Sequence, residues 1–267
     1  MSIVHIFILA VIQGLTEFLP VSSSGHLILL PQLTGLQDQG LALDVAVHVG
    51  TLFAVVLYFW KDVRMALAGI PSMLSGNIDT PGARLAFLLL VATIPVILAG
   101  LVLKLTGLSS AMRSITVIGW AMIIFGAVLY LTDRSGGTGK ADTDWSLKDA
   151  IVLGLWQAIA LIPGTSRSGA TISGARALGY DRSSAAKLAM LMSIPTIVAS
   201  GTLLGLDVVG QADAEMLRNA AFGIVFAFAA ALLALSLMMR LLRSISFTPY
   251  VIYRILLGIV LLAIAYT

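Results

Sequence analysis

Residues 85–103 form a run of nineteen without one charged side chain, closed by Arg84 and Lys104. About 20 apolar residues in a helix cross the roughly 30 Å hydrocarbon core of a bilayer. Backbone in lipid must also satisfy its own hydrogen bonds, which helices do. Five more stretches read the same way, giving spans at about 41–60, 84–104, 112–132, 184–206, 217–239 and 247–266. Composition agrees: 11% of residues are charged and the mean hydropathy is +1.02, against roughly 25% charged residues in soluble domains. The chain therefore reads as an all-α polytopic membrane protein. The absence of cysteine excludes disulfides and thiolate metal sites. The apolar start is broken by Gln13 and Glu17 and has no basic leader, so it reads poorly as a cleaved signal. The net charge is only +3, and its scattered basic residues point to membrane orientation, with no nucleic acid implied.

Two segments do not fit as simple spans. Residues 2–19 and 147–162 are apolar, and each runs into a polar loop opened by proline, at 20–26 and 163–171. The apolar stretches that follow, about 26–36 and 170–178, are too short to cross. The spacing predicts two re-entrant helix–loop–helix hairpins, tolerated at membrane depth only where they pack in protein or line a polar cavity. At an offset of 144, Gln13 matches Gln157, Ser22 matches Ser166, Ser24 matches Ser168, and Gly25 matches Gly169. This predicts an internal duplication within one membrane domain, with repeats at about 1–132 and 147–267 and a hydrophilic linker at 133–146. Three spans between the hairpins make the repeats inverted, with the loops meeting near the midplane.

Basic residues orient the chain. With the N-terminus outside, eleven fall inside: Lys61, Arg64, Arg84, Arg134, Lys140, Lys148, Arg176, Arg182, Lys187, Arg240 and Arg243. Only Lys104, Arg113 and Arg218 fall outside. The positive-inside rule then puts both termini and the mouth of the first hairpin outside.

Charges in the membrane are costly and are functional candidates by default. Glu17 ends an apolar helix beside a serine cluster, with Gln13 one turn earlier on the same face. Ser22, Ser23, Ser24, Gly25 and His26 suit an anion, because small residues let N–H groups turn toward it at a helix start. Serine is a candidate nucleophile, with His26 or Glu17 as base. The alternative is ordinary turn and N-cap chemistry. In the second loop Gly164, Ser166, Arg167, Ser168, Gly169 and Thr171 surround an arginine whose planar fork suits phosphate. The alternative is that Arg167 pairs with Glu17 across the pseudo-twofold axis, and the two roles could coexist. Asp44 and His48 could support the site, bind a divalent ion or be structural. Arg254, inside a membrane segment, is read as snorkelling to the inner interface.

At these residues the chain resembles the undecaprenyl-diphosphate phosphatases of bacteria, also called bacitracin resistance proteins. Gln13 and Glu17 satisfy the family's (E/Q)-x-x-x-E motif. Pro163, Gly164, Ser166, Arg167, Ser168 and Thr171 satisfy P-G-x-S-R-S-x-x-T. The resemblance covers essentially the whole chain. It implies six spans and two re-entrant hairpins in the bacterial inner membrane. It also implies cleavage of a C55 polyprenyl diphosphate to the monophosphate and inorganic phosphate, recycling the carrier for wall synthesis. A divalent cation, Mg or Ca, comes with the resemblance, with Glu17 a candidate ligand. Many members have glutamate where Gln13 stands, so Gln13 cannot be an essential acid or a metal-binding carboxylate. The expected catalytic set is Glu17, Ser23, His26 and Arg167. Three nucleophiles stay open: Ser23, His26, or water activated by Glu17. A lipid carrier is the rival function, since inverted repeats with broken helices also build transporters. Oligomeric state is left open, with a homodimer among the options.

Overall fold

All six candidate spans are helices in the computed structural model, which describes residues 1–35, 40–209 and 213–267. They are α3 (Gly40–Tyr58), α5 (Pro81–Thr106), α7 (Ile115–Ser135), α10 (Arg182–Val209), α11 (Ala214–Leu241) and α12 (Thr248–Tyr266). Each contains a window long and apolar enough to cross a membrane, and the chain is a multi-pass membrane protein. The segments around the polar loops form two helix pairs, α1 (Ile3–Phe18) with α2 (Ser23–Thr34), and α8 (Leu147–Ile159) with α9 (Arg167–Ala177). The short α4 (Trp60–Leu74) and α6 (Leu108–Ala111) complete the set, and the described residues contain no β-strand.

The helix starts follow from local chemistry. Thr80, Ser114, Ser146 and Asp213 each accept a backbone N–H through the side chain at the start of α5, α7, α8 and α11. Gly107 ends α5 in the left-handed region, at φ 69°.

Helix α4 occupies residues that the sequence reading left unassigned between two spans. Lys61, Asp62 and Arg64 break any long uncharged run, but Ala66 and Gly69 recur at helical spacing and are buried. They face α5, where a Cβ on Gly69 would stand 2.1 Å from the Gly82 carbonyl carbon. Small residues also carry the central contacts. Helix α11 packs on both α1 and α3, and Cβ atoms on Gly14 or Gly50 would run into its backbone at 2.7 and 2.4 Å. Close backbone approach of this kind supplies the packing that lipid gives no hydrophobic drive for.

One end of the bundle is ionic. The linker expected at 133–146 is docked there. Asp133, buried at the end of α7, accepts from Arg176 Nε (3.1 Å), Arg182 Nε (2.8 Å) and Phe247 N (3.2 Å). Arg176, counted from sequence among the inner-face charges, is only 1% exposed and also donates to the carbonyls of Gly136 and Tyr180. Lys187 bridges Asp62 (2.7 Å) and Asp142 (2.8 Å). Tyr180 donates to Asp149 at 2.6 Å; burial, and then that carboxylate, push its phenol well above the usual range. Basic residues assigned to one membrane face thus collect at one end of the molecule.

Candidate active site

Both polar loops are tighter than the sequence suggested, because α2 begins at Ser23 and α9 at Arg167. Half of each motif is therefore the first turn of a helix, where the first N–H groups, those of Ser23 and Ser24 and of Arg167 and Ser168, have no carbonyl of their own helix to bind. The turns have matching geometry. Ser22 and Ser166 are the non-glycine residues with positive φ among those described, at 73° and 70°. Each side chain takes the N–H three residues on, from Gly25 at 3.4 Å and from Gly169 at 3.1 Å. Each also meets the serine two residues on, Ser24 at 3.3 Å and Ser168 at 3.1 Å. Left-handed serine costs on the order of 1–3 kcal/mol and persists only where surroundings enforce it.

A cavity of about 160 Å³ opens between the loops. Its walls are Glu17 from α1, Ser22, Ser23 and Ser24 from the first loop, His48 from α3, and Ala160, Ser166 and Arg167. Glu17 is the hub. Its Oε2 accepts from Ser23 Oγ (2.7 Å) and Gln13 Nε2 (2.8 Å), while Oε1 is paired with Arg167 Nη2. The other arm of the Arg167 fork donates to the Ser193 carbonyl at 3.0 Å. His48 Nε2 stands 3.8 Å from Glu17 Oε2. Its Nδ1 donates to the Asp44 carbonyl at 2.7 Å, which turns Nε2 toward the carboxylate. The arrangement puts a hydroxyl on a carboxylate, beside an arginine and two helix starts. That combination can hold an anion and deprotonate a serine.

The remaining expected site residues are not on the cavity wall. Gln13 is fully buried behind Glu17, which it steadies. Gly25 and Gly169 sit in the first helical turns, on the Ser22 and Ser166 caps. Ser168 ties the loops together, donating to the Leu19 carbonyl at 3.0 Å. Gly164 holds a left-handed turn (φ 91°) against α7, where a Cβ would stand 2.6 Å from the Ile118 oxygen. Thr171 is buried on α9, its hydroxyl without a partner. His26 bonds Ser22 O and Tyr253 Oη.

Arg254 corrects the sequence reading most. It does not snorkel: it is 0% exposed. It donates to the Pro20 carbonyl (3.3 Å) of the first loop, and to Gly164 (3.0 Å) and Thr165 (2.7 Å) of the second. One guanidinium thus grips both loops from behind. In Arg254→Leu these carbonyls lose their donors, at about 1–3 kcal/mol for each unsatisfied buried group. The expected result is a lower thermal midpoint in detergent and impaired turnover. An unchanged midpoint would remove Arg254 as the clamp.

The donor set does not fit a resident metal centre. Glu17 is the single carboxylate on the wall and is already held by Arg167, Gln13 and Ser23. Among the described residues no three His, Cys, Asp or Glu side chains gather as ligands.

Residues 6–260 match the family model described as bacitracin resistance protein BacA. The chain belongs to this family. It is 68% identical over 267 residues to an undecaprenyl-diphosphatase of Ruegeria pomeroyi, covering all of both chains. It is 64% identical over 266 residues to one of Jannaschia, again over the full length of both. An undecaprenyl-diphosphatase 1 of Rhodospirillum rubrum is 45% identical over 272 residues, covering all of this chain and 96% of that one. In this BacA-family chain, the sequence alone leaves the role of His48 open and places Arg254 at the inner interface. Arg254 had a usable signal, since a lone charge deep in an apolar span marks a functional candidate.

Proposed function

We infer that this chain hydrolyses undecaprenyl diphosphate to undecaprenyl phosphate and inorganic phosphate. It thereby recycles the lipid carrier of wall synthesis and confers bacitracin resistance. One observation carries the chemistry. Ser23 Oγ lies 2.7 Å from Glu17 Oε2, in a cavity that also holds Arg167. The full-length identity to undecaprenyl-diphosphatases supplies the substrate. At about 160 Å³ the cavity is below the roughly 300–1,000 Å³ of drug-sized sites. It therefore takes the diphosphate head while the tail stays in lipid.

Arg167 is paired with Glu17 in this structure. An incoming diphosphate competes for the guanidinium fork, and as Arg167 turns to phosphate oxygens, Glu17 becomes a better base. Ser23 Oγ then attacks the terminal phosphorus and passes its proton to Glu17. The bond from that phosphorus to the bridging oxygen breaks, and the lipid monophosphate leaves. Water next cleaves the phosphoserine, releasing inorganic phosphate and restoring the Ser23 hydroxyl. Arg167, Ser166 and the first-turn N–H groups of α2 and α9 hold the oxygens, since phosphoryl transfer depends chiefly on positioning and electrostatics.

In the same reading the two helix pairs are re-entrant hairpins of inverted repeats, and the cavity opens outward from the inner membrane. Exchanged packing supports the repeats: α1 lies on α11 as α8 lies on α5, while α3 meets α10 and α7 meets α12. The ionic end, carrying residues assigned to the inner face, supports the orientation. Purified protein in detergent, given C55 and shorter polyprenyl diphosphates with and without chelator, should release phosphate. Transfer of the intact lipid across liposomes without release would make it a carrier instead.

A further inference from the structure

His26 is held at both ring nitrogens. Its Nδ1 lies 2.7 Å from the Ser22 carbonyl, which can only accept, so Nδ1 carries the proton. The neutral ring's Nε2 is then bare, and it lies 2.6 Å from the Tyr253 hydroxyl, which donates. The two rings are parallel within 3°, with centroids 5.7 Å apart. Tyr253 precedes Arg254, the residue that grips the carbonyls of both loops. Neighbouring side chains of α12 therefore reach the first loop by two routes.

The carbonyl that His26 holds belongs to the left-handed Ser22. Its peptide group continues directly into Ser23, whose hydroxyl sits on Glu17. A ring turned to its other tautomer would present a bare Nδ1 to that carbonyl, two acceptors facing each other, and the turn would lose its brace. The carbonyl itself therefore selects the Nδ1–H form, and the phenol, donating to the Nε2 left bare, holds the ring in place. In this arrangement Nε2 is capped and off the cavity wall.

We propose that Tyr253 is a positioning residue for the phosphatase reaction: its hydroxyl anchors the His26 ring at Nε2, and the ring held in this way braces the Ser22–Ser23 turn through Nδ1–H. The proposal rests on the phosphatase reading above. The imidazole works as a strut between α12 and the first loop, and Tyr253 acts only through it.

The chain has three histidines, so nitrogen-15 NMR of histidine-labelled full-length protein in detergent can follow each ring. The unsubstituted protein should show His26 as the Nδ1–H tautomer. Tyr253→Phe should move the His26 Nε2 resonance, as that nitrogen loses its donor, and lower kcat about tenfold, with KM within about twofold because the cavity walls are untouched. On a His26→Gln background the same change should cost less than about twofold, since the strut is already gone. An unmoved His26 spectrum, undiminished kcat, or losses that multiply in the double variant would each overturn the proposal alone. Absence of phosphate release by the unsubstituted protein would overturn the phosphatase reading and this proposal with it.

Discussion

Ser23→Ala should lower phosphate release by on the order of 10³-fold or more, the scale on which loss of a catalytic nucleophile acts. The substitution removes one oxygen from a half-buried position, so folding and head-group binding should survive. Thermal midpoint and KM should stay near those of the unsubstituted protein while kcat collapses. Its neighbours provide the contrast. Ser22 caps α2 and holds the left-handed turn, so Ser22→Ala should affect stability as well as turnover. Ser24 is exposed and shares only a hydroxyl contact with Ser22, so Ser24→Ala should be mild. A large loss confined to Ser23 separates a reacting hydroxyl from a polar lining.

Arg167→Lys should cost about 10²–10³-fold in kcat/KM, comparable to losing a donor that stabilises developing negative charge. Lysine keeps the charge but loses the fork. Arg167 uses two arms at once, one on Glu17 and one on the Ser193 carbonyl. A single ammonium cannot hold that anchor and offer a bidentate face to phosphate. Binding of inorganic phosphate to the empty protein should weaken in parallel, because the same guanidinium takes its oxygens. Near-normal turnover in Arg167→Lys would take the residue out of the phosphate site.

The spans and the two loops were legible because bilayer thickness and backbone satisfaction permit few solutions for an apolar chain. Pairing of Glu17 with Arg167 was foreseeable as one of two roles for that arginine, and the structure contains that pair. Helix α4 was not legible, because its signal is a short amphipathic face that depends on Gly69 meeting Gly82. The division between wall and support was hidden for a similar reason. Residues such as Ser168 and Gly169 are polar or small within the motif, yet they serve to cap a helix or tie one loop to the other. Only three-dimensional placement separates these roles.

The 144-residue offset explains why similar loops do different work. The shared positions, Ser22 with Ser166 and Gly25 with Gly169, build the left-handed turn twice. At the same offset Glu17 is replaced by Leu161, Ser23 by Arg167, and His26 by Ala170. The scaffold is duplicated while its chemistry is split. One copy carries the hydroxyl and carboxylate, and the other carries the guanidinium.

The most direct test is to find where phosphate sits during turnover. Purified protein mixed with undecaprenyl diphosphate and quenched early in neutral denaturant can be digested and weighed by mass spectrometry. One added phosphoryl group on Ser23, absent from Ser23→Ala, is the expected result. Phosphate on His26, or single-turnover release in which water oxygen enters the phosphate with no phosphoenzyme formed, would contradict it.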